Sequence, residues 1–237
     1  MAETVASSSL GDKQVTQEEE RQSVVIVFSG DSGDGMQLTG DQFTNTSAIL
    51  GNDVSTFPDI PAEIRAPAGT IPGLSGYQVN FSSEDLYTAG DSPQVLVAMN
   101  PAALKANLPD LDAGGTIIVN TDTFSGNGLR KAGYEANPLE DESLSGYDVH
   151  QVPLTTLTRN ALEDIDGMSN QEKDKCKNAF ALGLVFWMFD RPIDFTIKFY
   201  ETKFASRPEV VESNSRVLKA GYYYGETAET FQTRINV

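Results

Sequence analysis

The chain has little of what metal and nucleophilic chemistry requires. Its 237 residues include one cysteine, Cys176, and one histidine, His150. One cysteine cannot form an internal disulfide bond, and it cannot build a structural zinc site or an iron–sulfur cluster with a single histidine. No G-x-S-x-G motif accompanies His150, the one imidazole available as the base of a hydrolase triad. We therefore expect neither metal-centred redox chemistry nor a hydrolase triad on this chain alone.

Positive charge and long apolar runs are also scarce. Lys and Arg number 17 against 34 Asp and Glu, which gives a formal net charge of −17. This charge repels nucleic acids and anionic membrane surfaces, so neither is expected as a partner. The longest apolar candidate, residues 179–189, is far shorter than the roughly 20 residues of a membrane span. The polar residues 1–22 have no apolar segment of a secretory signal, so we expect a flexible acidic tail and a cytoplasmic protein.

The first half of the chain alternates strand-like apolar runs with helical patterns. Residues 23–29, SVVIVFS, form a β-branched run that is typical of a strand buried on both faces of a parallel sheet. Residues 95–99 and 116–120 predict two more central strands, and Asn100 with Pro101 predicts the start of a helix between them. Strands that alternate with helices, followed by helices alone, predict a three-layer α/β/α sandwich with a mostly parallel sheet and a C-terminal helical cluster.

Other segments give weaker patterns. Residues 54–57 and 77–81 predict further strands, and the prolines that begin at Pro58 predict an irregular, functional loop after the first of these. Residues 148–152 favour a strand, whereas residues 125–145 give no clear pattern. The remaining predictions are a long helix, capped by Ser169 and Glu172 and running through Phe189, and a last helix, capped by Ser206 and Glu209 and ending near Gly221 or Gly225.

A glycine-rich turn, GDSGDG, gives the best signal of a binding site. Gly30, Gly33 and Gly35 follow the first buried strand and precede a helix, where backbone N–H groups and the helix dipole can hold an anion. The turn is neither the dinucleotide-binding G-x-G-x-x-G motif nor a Walker loop. Asp31 and Asp34 would repel an anion unless they turn away, cap the helix or meet a hydroxyl or a cation. A tight strand–helix turn without a ligand remains the alternative.

Two basic residues are candidate anion contacts. Arg65 lies in the proline-rich loop, where its guanidinium group suits a carboxylate or a phosphate; an internal pair with Glu63 is the alternative. Lys105 follows the strand at 95–99, near the carboxyl end of the sheet where open α/β sheets bind ligands; a solvated helix face is the alternative.

For His150 we expect a structural or exposed position instead of a catalytic one. For Cys176 we expect a small core residue, and a reactive thiolate beside Lys175 and Lys177 is the alternative.

Five separated motifs resemble the gamma-type domain of 2-oxoacid:ferredoxin oxidoreductases. The likeness is strongest to the 2-oxoglutarate type, in which this domain begins the alpha subunit, and it covers about residues 23–227. In chain order the motifs are GDSGDGMQLTGDQF at 30–43, PAEIRAPAGT at 61–70, VLVAMNPAALKANL at 95–108, KNAFALGL at 177–184 and LKAGYYYGET at 218–227.

The resemblance implies one part of a larger enzyme. Such enzymes decarboxylate a 2-oxoacid on thiamine diphosphate, transfer the acyl group to coenzyme A and pass electrons to ferredoxin through iron–sulfur clusters. Thiamine diphosphate, Mg²⁺ and the clusters would belong to the remaining alpha-subunit domains, the beta subunit or other partners, so this chain should be inactive alone. The domain would cover the active site and help to bind coenzyme A, and ferredoxin, itself acidic, would dock elsewhere on the complex.

Carried over by motif position, Gly30, Gly33 and Gly35 would shape the coenzyme A loop, and Arg65 and Lys105 would be anion or interface contacts. No catalytic or metal-binding residue is implied. The motifs GDSGDG and EIRAPAG depart from the G-x-G-G-Q-G and E-x-R-G-G runs of many gamma domains, so transfer of individual residues from pyruvate enzymes is weakened.

Residues 228–237 are expected to begin a linker to a further domain, since no clear helix cap or terminal strand is visible there. Two other functions stay open. A free-standing module for coenzyme A or nucleotides would bind tightly as an isolated chain, whereas an architectural dimerisation domain would not bind even in an assembled enzyme. The sequence does not separate these possibilities, nor does it identify the 2-oxoacid.

Overall fold

The computed structural model describes residues 17–61, 73–228, 231 and 233–237. The strands of these residues form one sheet of six and one of two. Within the larger sheet, in the order β3-β4-β2-β5-β6-β7, strands β2, β5, β6 and β7 are parallel neighbours, and β4 runs antiparallel to both β2 and β3. The strands are β1 (Gln17–Glu20), β2 (Ser23–Asp31), β3 (Asp53–Asp59), β4 (Leu74–Ser82), β5 (Val95–Ala98), β6 (Thr116–Asn120), β7 (Asp148–Val152) and β8 (Thr233–Asn236).

Helices cover both faces of the six-stranded sheet, which confirms the predicted three-layer α/β/α class. The helices are α1 (Met36–Ile49), α2 (Pro101–Asn107), α3 (Gly126–Lys131), α4 (Leu154–Ala161), α5 (Asn170–Asp174), α6 (Lys177–Met188), α7 (Asp194–Lys203) and α8 (Pro208–Thr227). Among the described residues no helix combines the length and the apolar character that crossing a membrane requires.

Alternate residues of the central strands serve the two faces. In β2, Ile26 and Phe28 join a large core with α1, α4, α6, α7 and α8, whereas Val27 joins a smaller core with α2 and α3. Helix α6 is buried over almost its whole length, as its apolar sequence predicts. Its Gly183 lies so close to Leu218 of α8 that a Cβ atom there would overlap the Leu218 carbonyl oxygen. This contact sets how closely α6 and α8 approach.

Three predicted boundaries were wrong. The helix expected from Ser169 through Phe189 is two helices, because backbone hydrogen bonds tighten to three-residue spacing at Lys175 and Cys176; the predicted capping box at Ser169 is confirmed. Helix α8 starts at Pro208 instead of using Ser206 as its cap, since the fixed φ angle of proline suits a first helical position. Strand β3 continues through Pro58, which an edge strand tolerates because its outer side needs no hydrogen-bond donor.

The two ends of the described chain meet. Strand β1, in the region expected to be a flexible tail, pairs in parallel with β8, in the region expected to be a linker. The hydrogen bond from Arg21 N–H to Asn236 O extends this pairing. Both strands have four residues and polar sequences, so neither gives the alternating apolar pattern by which a strand is recognised. Paired strands therefore extend beyond residues 23–227, the range expected for the domain.

Candidate functional site

The parallel strands end in polar residues at one edge of the sheet. Asp31 ends β2, Asn100 follows β5 and Asn120 ends β6. Asn100 caps α2 by accepting the Ala103 N–H through Oδ1 at 2.8 Å, which is the predicted helix start. Its Nδ2 donates to Asp31 Oδ1 at 2.8 Å, so the first two strand ends are joined. Ligands of open α/β sheets bind at this edge.

The glycine-rich turn between β2 and α1 requires its glycines. Gly33 and Gly35 have φ angles of 107° and 80°, which side chains with a Cβ atom rarely adopt. At Gly30 a Cβ atom would lie 2.9 Å from Asp34 Oδ2 and 3.0 Å from Met99 Cβ. Gly30 is thus the second-to-last residue of β2 instead of part of the predicted turn, and Gly33 and Gly35 lie in the turn that follows it.

The two carboxylates of the turn are held by the protein itself. Asp34 Oδ2 accepts the Asp31 N–H at 3.1 Å, and Asp34 Oδ1 forms an ion pair of 2.8 Å with Lys177 Nζ. Burial raises the pKa of Asp31, and the nearby charge of Asp34 adds to this rise. Asp34 therefore meets a cation and supports the turn, which is one of the ways in which an acidic turn can remain compatible with an anion.

The N-terminus of α1 opens at the same turn. Its N-cap is Gly35, no side chain caps it, and no acidic residue lies in its first turn. Thr39 N–H bonds to Gly35 O, but the N–H groups of Met36, Gln37 and Leu38 donate to no residue of the described ranges. Uncapped N–H groups and the positive end of the helix dipole favour an anion here.

A cavity of about 180 Å³ lies between the end of β2, the start of α2 and α3. Asp31 and Lys131 provide charged groups, Asn100 and Thr123 provide polar groups, and the rest of the lining is largely apolar. The lining residues are Asp31, Asn100, Pro101, Ala102, Thr123, Gly128, Lys131 and Ala132. This arrangement suits binding of a group with polar and apolar parts.

Of the two predicted basic contacts, Arg65 and Lys105, the structure describes only Lys105. Arg65 lies outside the described residues. The described chain resumes after that segment at Gly73, whose carbonyl accepts the Ser32 N–H of the glycine turn at 3.0 Å. Lys105 donates from Nζ to the carbonyls of Ala132 at 3.0 Å and Gly133 at 2.7 Å, beyond the end of α3.

Sequence reasoning did not nominate three residues that the fold brings to this edge: Lys131, Lys177 and Asn178. Lys131 lines the cavity, Lys177 pairs with Asp34, and Asn178 lies against Gly35. The motif KNAFALGL includes the last two, but nothing in the sequence indicates that the start of α6 reaches the turn after β2.

A second, larger cavity of about 280 Å³ lies where β6 and β7 begin, at the opposite edge. His150 lines it, and its Nε2 lies 3.0 Å from Asp148 Oδ2 while its ring stacks on Phe231 at 4.3 Å. Cys176 is buried, and burial raises the pKa of its thiol. The predicted structural roles of the single histidine and cysteine agree with these contacts. Among the described residues no group of three or more His, Cys, Asp or Glu side chains is placed to hold a metal ion.

Comparison with known proteins gives consistent similarities. Residues 25–224 match the family model described as pyruvate ferredoxin/flavodoxin oxidoreductase. Subunit KorA of the 2-oxoglutarate oxidoreductase of Mycobacterium tuberculosis is 55% identical over 216 residues, which are 91% of this chain and 33% of that subunit. The chain therefore spans about a third of the length of this curated relative.

Two solved structures share the fold. The 2-oxoglutarate:ferredoxin oxidoreductase of Magnetococcus marinus, solved with 2-oxoglutarate, coenzyme A and succinyl-CoA bound, matches with a TM-score of 0.70 and 24% identity, over 91% of this chain and 33% of that chain. Subunit PORC of the pyruvate oxidoreductase of Thermotoga maritima matches with a TM-score of 0.58 and 19% identity, over 86% of this chain and 97% of that chain. At these identities the likeness concerns the fold alone.

Proposed function

Because the chain belongs to the pyruvate ferredoxin/flavodoxin oxidoreductase family, we propose that it forms one domain of a 2-oxoglutarate:ferredoxin oxidoreductase. Such an enzyme oxidatively decarboxylates 2-oxoglutarate to an acyl-CoA and passes the electrons to ferredoxin. One observation carries the choice of substrate: the 55% identity with the M. tuberculosis 2-oxoglutarate oxidoreductase subunit over 91% of the chain.

This domain binds coenzyme A and covers the active site, and it is not catalytic alone. Gly30, Gly33 and Gly35 form the turn that receives an anionic part of coenzyme A, with Arg65 and Lys105 as further anion or interface contacts. The support is the open N-terminus of α1 and, separately, a cavity with polar and apolar walls that is lined by Asp31 at the end of β2. An alternative role for Lys105 is to hold the end of α3, where two carbonyls already accept its hydrogen bonds.

The rest of the chemistry lies on partners. Thiamine diphosphate, bound with Mg²⁺ in the remaining alpha-subunit domains and the beta subunit, supplies the decarboxylation when present. A chain with one cysteine cannot supply the ligands of an iron–sulfur cluster. Its net charge of −17 makes it a poor docking surface for an acidic ferredoxin, so ferredoxin docks on another part of this cytoplasmic complex.

The enzyme assignment is tested on the complex isolated anaerobically from the source cells. Native mass spectrometry is expected to show this sequence in a longer alpha chain, or with partners that carry thiamine diphosphate and clusters. Reduction of a viologen dye is expected to depend on coenzyme A and to be fastest with 2-oxoglutarate among 2-oxoglutarate, pyruvate and 2-oxoisovalerate. A stable 25.7 kDa species without such partners would favour the free-standing binding module.

The coenzyme A role is tested with Arg65→Ala in the assembled enzyme. We expect KM for coenzyme A to rise about tenfold or more, as for loss of a hydrogen bond to a charged group, with KM for 2-oxoglutarate unchanged. Arg216→Ala, a partly exposed arginine of α8, is the matched control and should change neither value. Unchanged affinity for coenzyme A in Arg65→Ala would remove Arg65 from the site. If the complex binds coenzyme A and no substitution in the glycine-rich turn alters that binding, a purely architectural domain would be favoured.

A further inference from the structure

An apolar groove of about 500 Å³ lies between α1 and α7, outside the candidate site. Ala48 and Ile49 of α1 and Phe195 and Phe199 of α7 form its apolar wall, and polar side chains of α1 complete it. Among the described residues that line the groove, Lys198 is the one charged residue. The chain has 34 acidic residues, yet no carboxylate lines the described part of this groove.

Large apolar side chains at the groove are exposed. Ile49 exposes 58% of its surface and Phe195 exposes 37%, and Leu50, which follows Ile49 at the end of α1, exposes 45%. Single exposed apolar residues are common on protein surfaces, but apolar side chains grouped around a groove indicate a surface that another polypeptide covers. The groove is therefore a candidate interface with a protein.

Residue 237 lies beside the same end of α1. Asn52, two residues after Leu50, donates from Nδ2 to the Val237 carbonyl at 3.0 Å. The Asn52 N–H donates to the Ser47 carbonyl at 3.1 Å, which holds this turn against the last residues of α1. A chain that continues past Val237 therefore leaves the domain close to Ile49 and Leu50.

The length of the curated relative supplies an occupant for the groove. This chain covers 33% of the M. tuberculosis subunit, so most of that subunit lies outside the matched part. In a chain of that length the domain has a covalently attached neighbour, and attachment raises the effective concentration of the neighbour at surfaces near the point of attachment. The groove at the end of α1 is such a surface.

We propose that the groove between α1 and α7 receives apolar side chains of the polypeptide that follows Val237 in a longer alpha chain. This inference rests on the proposed function, which makes the chain one domain of a larger enzyme. It identifies the surface through which the domain docks on the rest of that enzyme, with Ile49, Leu50 and Phe195 covered.

The test places the photoreactive residue p-benzoylphenylalanine at Ile49 or at Phe195 in the full-length alpha chain of the assembled enzyme. After irradiation, we expect both positions to form crosslinks with residues of the same alpha chain beyond position 237, identified by peptide mass spectrometry. On a denaturing gel the product should keep the mass of one alpha chain. The control position is Tyr223 of α8, which is 55% exposed and outside the groove, and it should not crosslink to that segment.

A second variant, Ile49→Lys, tests whether the contact is apolar. Ile49 is more than half exposed, so the substitution leaves the fold of the domain little changed, whereas docking would bury the new charge. We expect the yield of the crosslink from Phe195 to fall about tenfold or more. Tyr223→Lys, the same kind of change outside the groove, should leave this yield unchanged.

The outcomes separate this inference from the proposed function. Crosslinks from Ile49 and Phe195 to a second copy of this domain or to another subunit overturn the inference, as does an assembled enzyme in which neither position forms a crosslink. An unchanged yield in Ile49→Lys overturns it too. None of these results affects the proposed function if the wild-type complex reduces a viologen dye with 2-oxoglutarate and coenzyme A. A wild-type complex without this activity overturns the proposed function, whatever the crosslinks show.

Discussion

On one face of the six-stranded sheet, aromatic side chains of α1, α6 and the strands fill a large core, whereas on the other face α2 and α3 cover a smaller and mainly aliphatic one. Phe43 shows the first kind of packing: its ring lies 5.0 Å from Phe81, 5.7 Å from Phe189 and 6.1 Å from Phe186. Leu104 of α2, also fully buried, represents the second. The large core fixes α1 and α6 so that their N-termini meet, and the smaller one leaves room for the cavity beside α3.

The comparison predicts its largest effect at Phe43. Phe43→Ala should lower the free energy of unfolding by about 4 kcal/mol, because it leaves a cavity between several rings that belong to different elements. Leu104→Ala should lower it by about 2 kcal/mol, since the thin layer formed by α2 and α3 over the smaller core can move inward and reduce the cavity. Urea denaturation of both variants beside the wild type measures the difference. Equal losses would contradict the idea that the two layers differ in rigidity.

A smaller effect is expected where Lys105 joins two parts of the thin layer. Its ammonium group donates to the Ala132 and Gly133 carbonyls and lies 5.0 Å from the centre of the Tyr134 ring. Lys105→Met keeps the apolar stem and removes these bonds, so we expect a loss of about 1 kcal/mol in the free energy of unfolding. The exposed Lys219 supplies the control Lys219→Met, which should stay within about 0.5 kcal/mol of the wild type.

The same Lys105→Met variant addresses the predicted contact with coenzyme A. In the assembled enzyme, a higher KM for coenzyme A at unchanged stability would support a ligand contact and contradict the structural role. Lower stability with an unchanged KM would restrict Lys105 to holding α3. The two measurements together therefore decide whether Lys105 contacts coenzyme A or supports the end of α3.

The sequence predicts the sheet better than the site because the two depend on different interactions. Local signals, the β-branched runs in β2, β5 and β6 and the cap at Asn100, identify these strands and the start of α2. The predicted end of the first strand at Ser29 was wrong by two residues, since β2 continues through Gly30 to Asp31 by pairing with β4.

Lys177 and Asn178 reach the glycine-rich turn only through the packing of α6 across the large core, which no local pattern reports. The break between α5 and α6 at Lys175 and Cys176 has no proline or glycine that would indicate it in the sequence.

The ends of the chain show the same limit. The pairing of β1 with β8 joins two short polar segments that are distant in sequence, so neither segment alone predicts a strand. The loop predicted to begin at Pro58 was wrong for a related reason. A strand can contain this proline because β3 is an edge strand, and the position of a strand in the sheet is a property of the whole fold. Local chemistry identifies the elements, and their order in the sheet decides which local rules apply.

The smallest expected effect on stability concerns Asp31, which ends β2 at the candidate site and is bonded to Asn100. Burial, with the charge of Asp34, raises the pKa of Asp31 above its ordinary value, so the folded protein binds this proton more tightly than the unfolded chain does. The ionised carboxylate therefore lowers the free energy of unfolding at neutral pH, and this cost is lost as the pH falls toward the ordinary aspartate pKa of about 4.

Asp31→Asn keeps an oxygen that can accept the hydrogen bond from Asn100 Nδ2 and removes the charge. At pH 7 we expect the variant to be more stable than the wild type, by about 1 kcal/mol or less, and the difference to shrink as the pH is lowered toward 4. Urea denaturation across this pH range measures it, and the exposed Asp91, changed to Asn, provides the control. A variant that is less stable than the wild type at neutral pH would mean that the Asp31 charge stabilises the fold. It would contradict the idea that the protein keeps this carboxylate at the candidate site at a cost in stability.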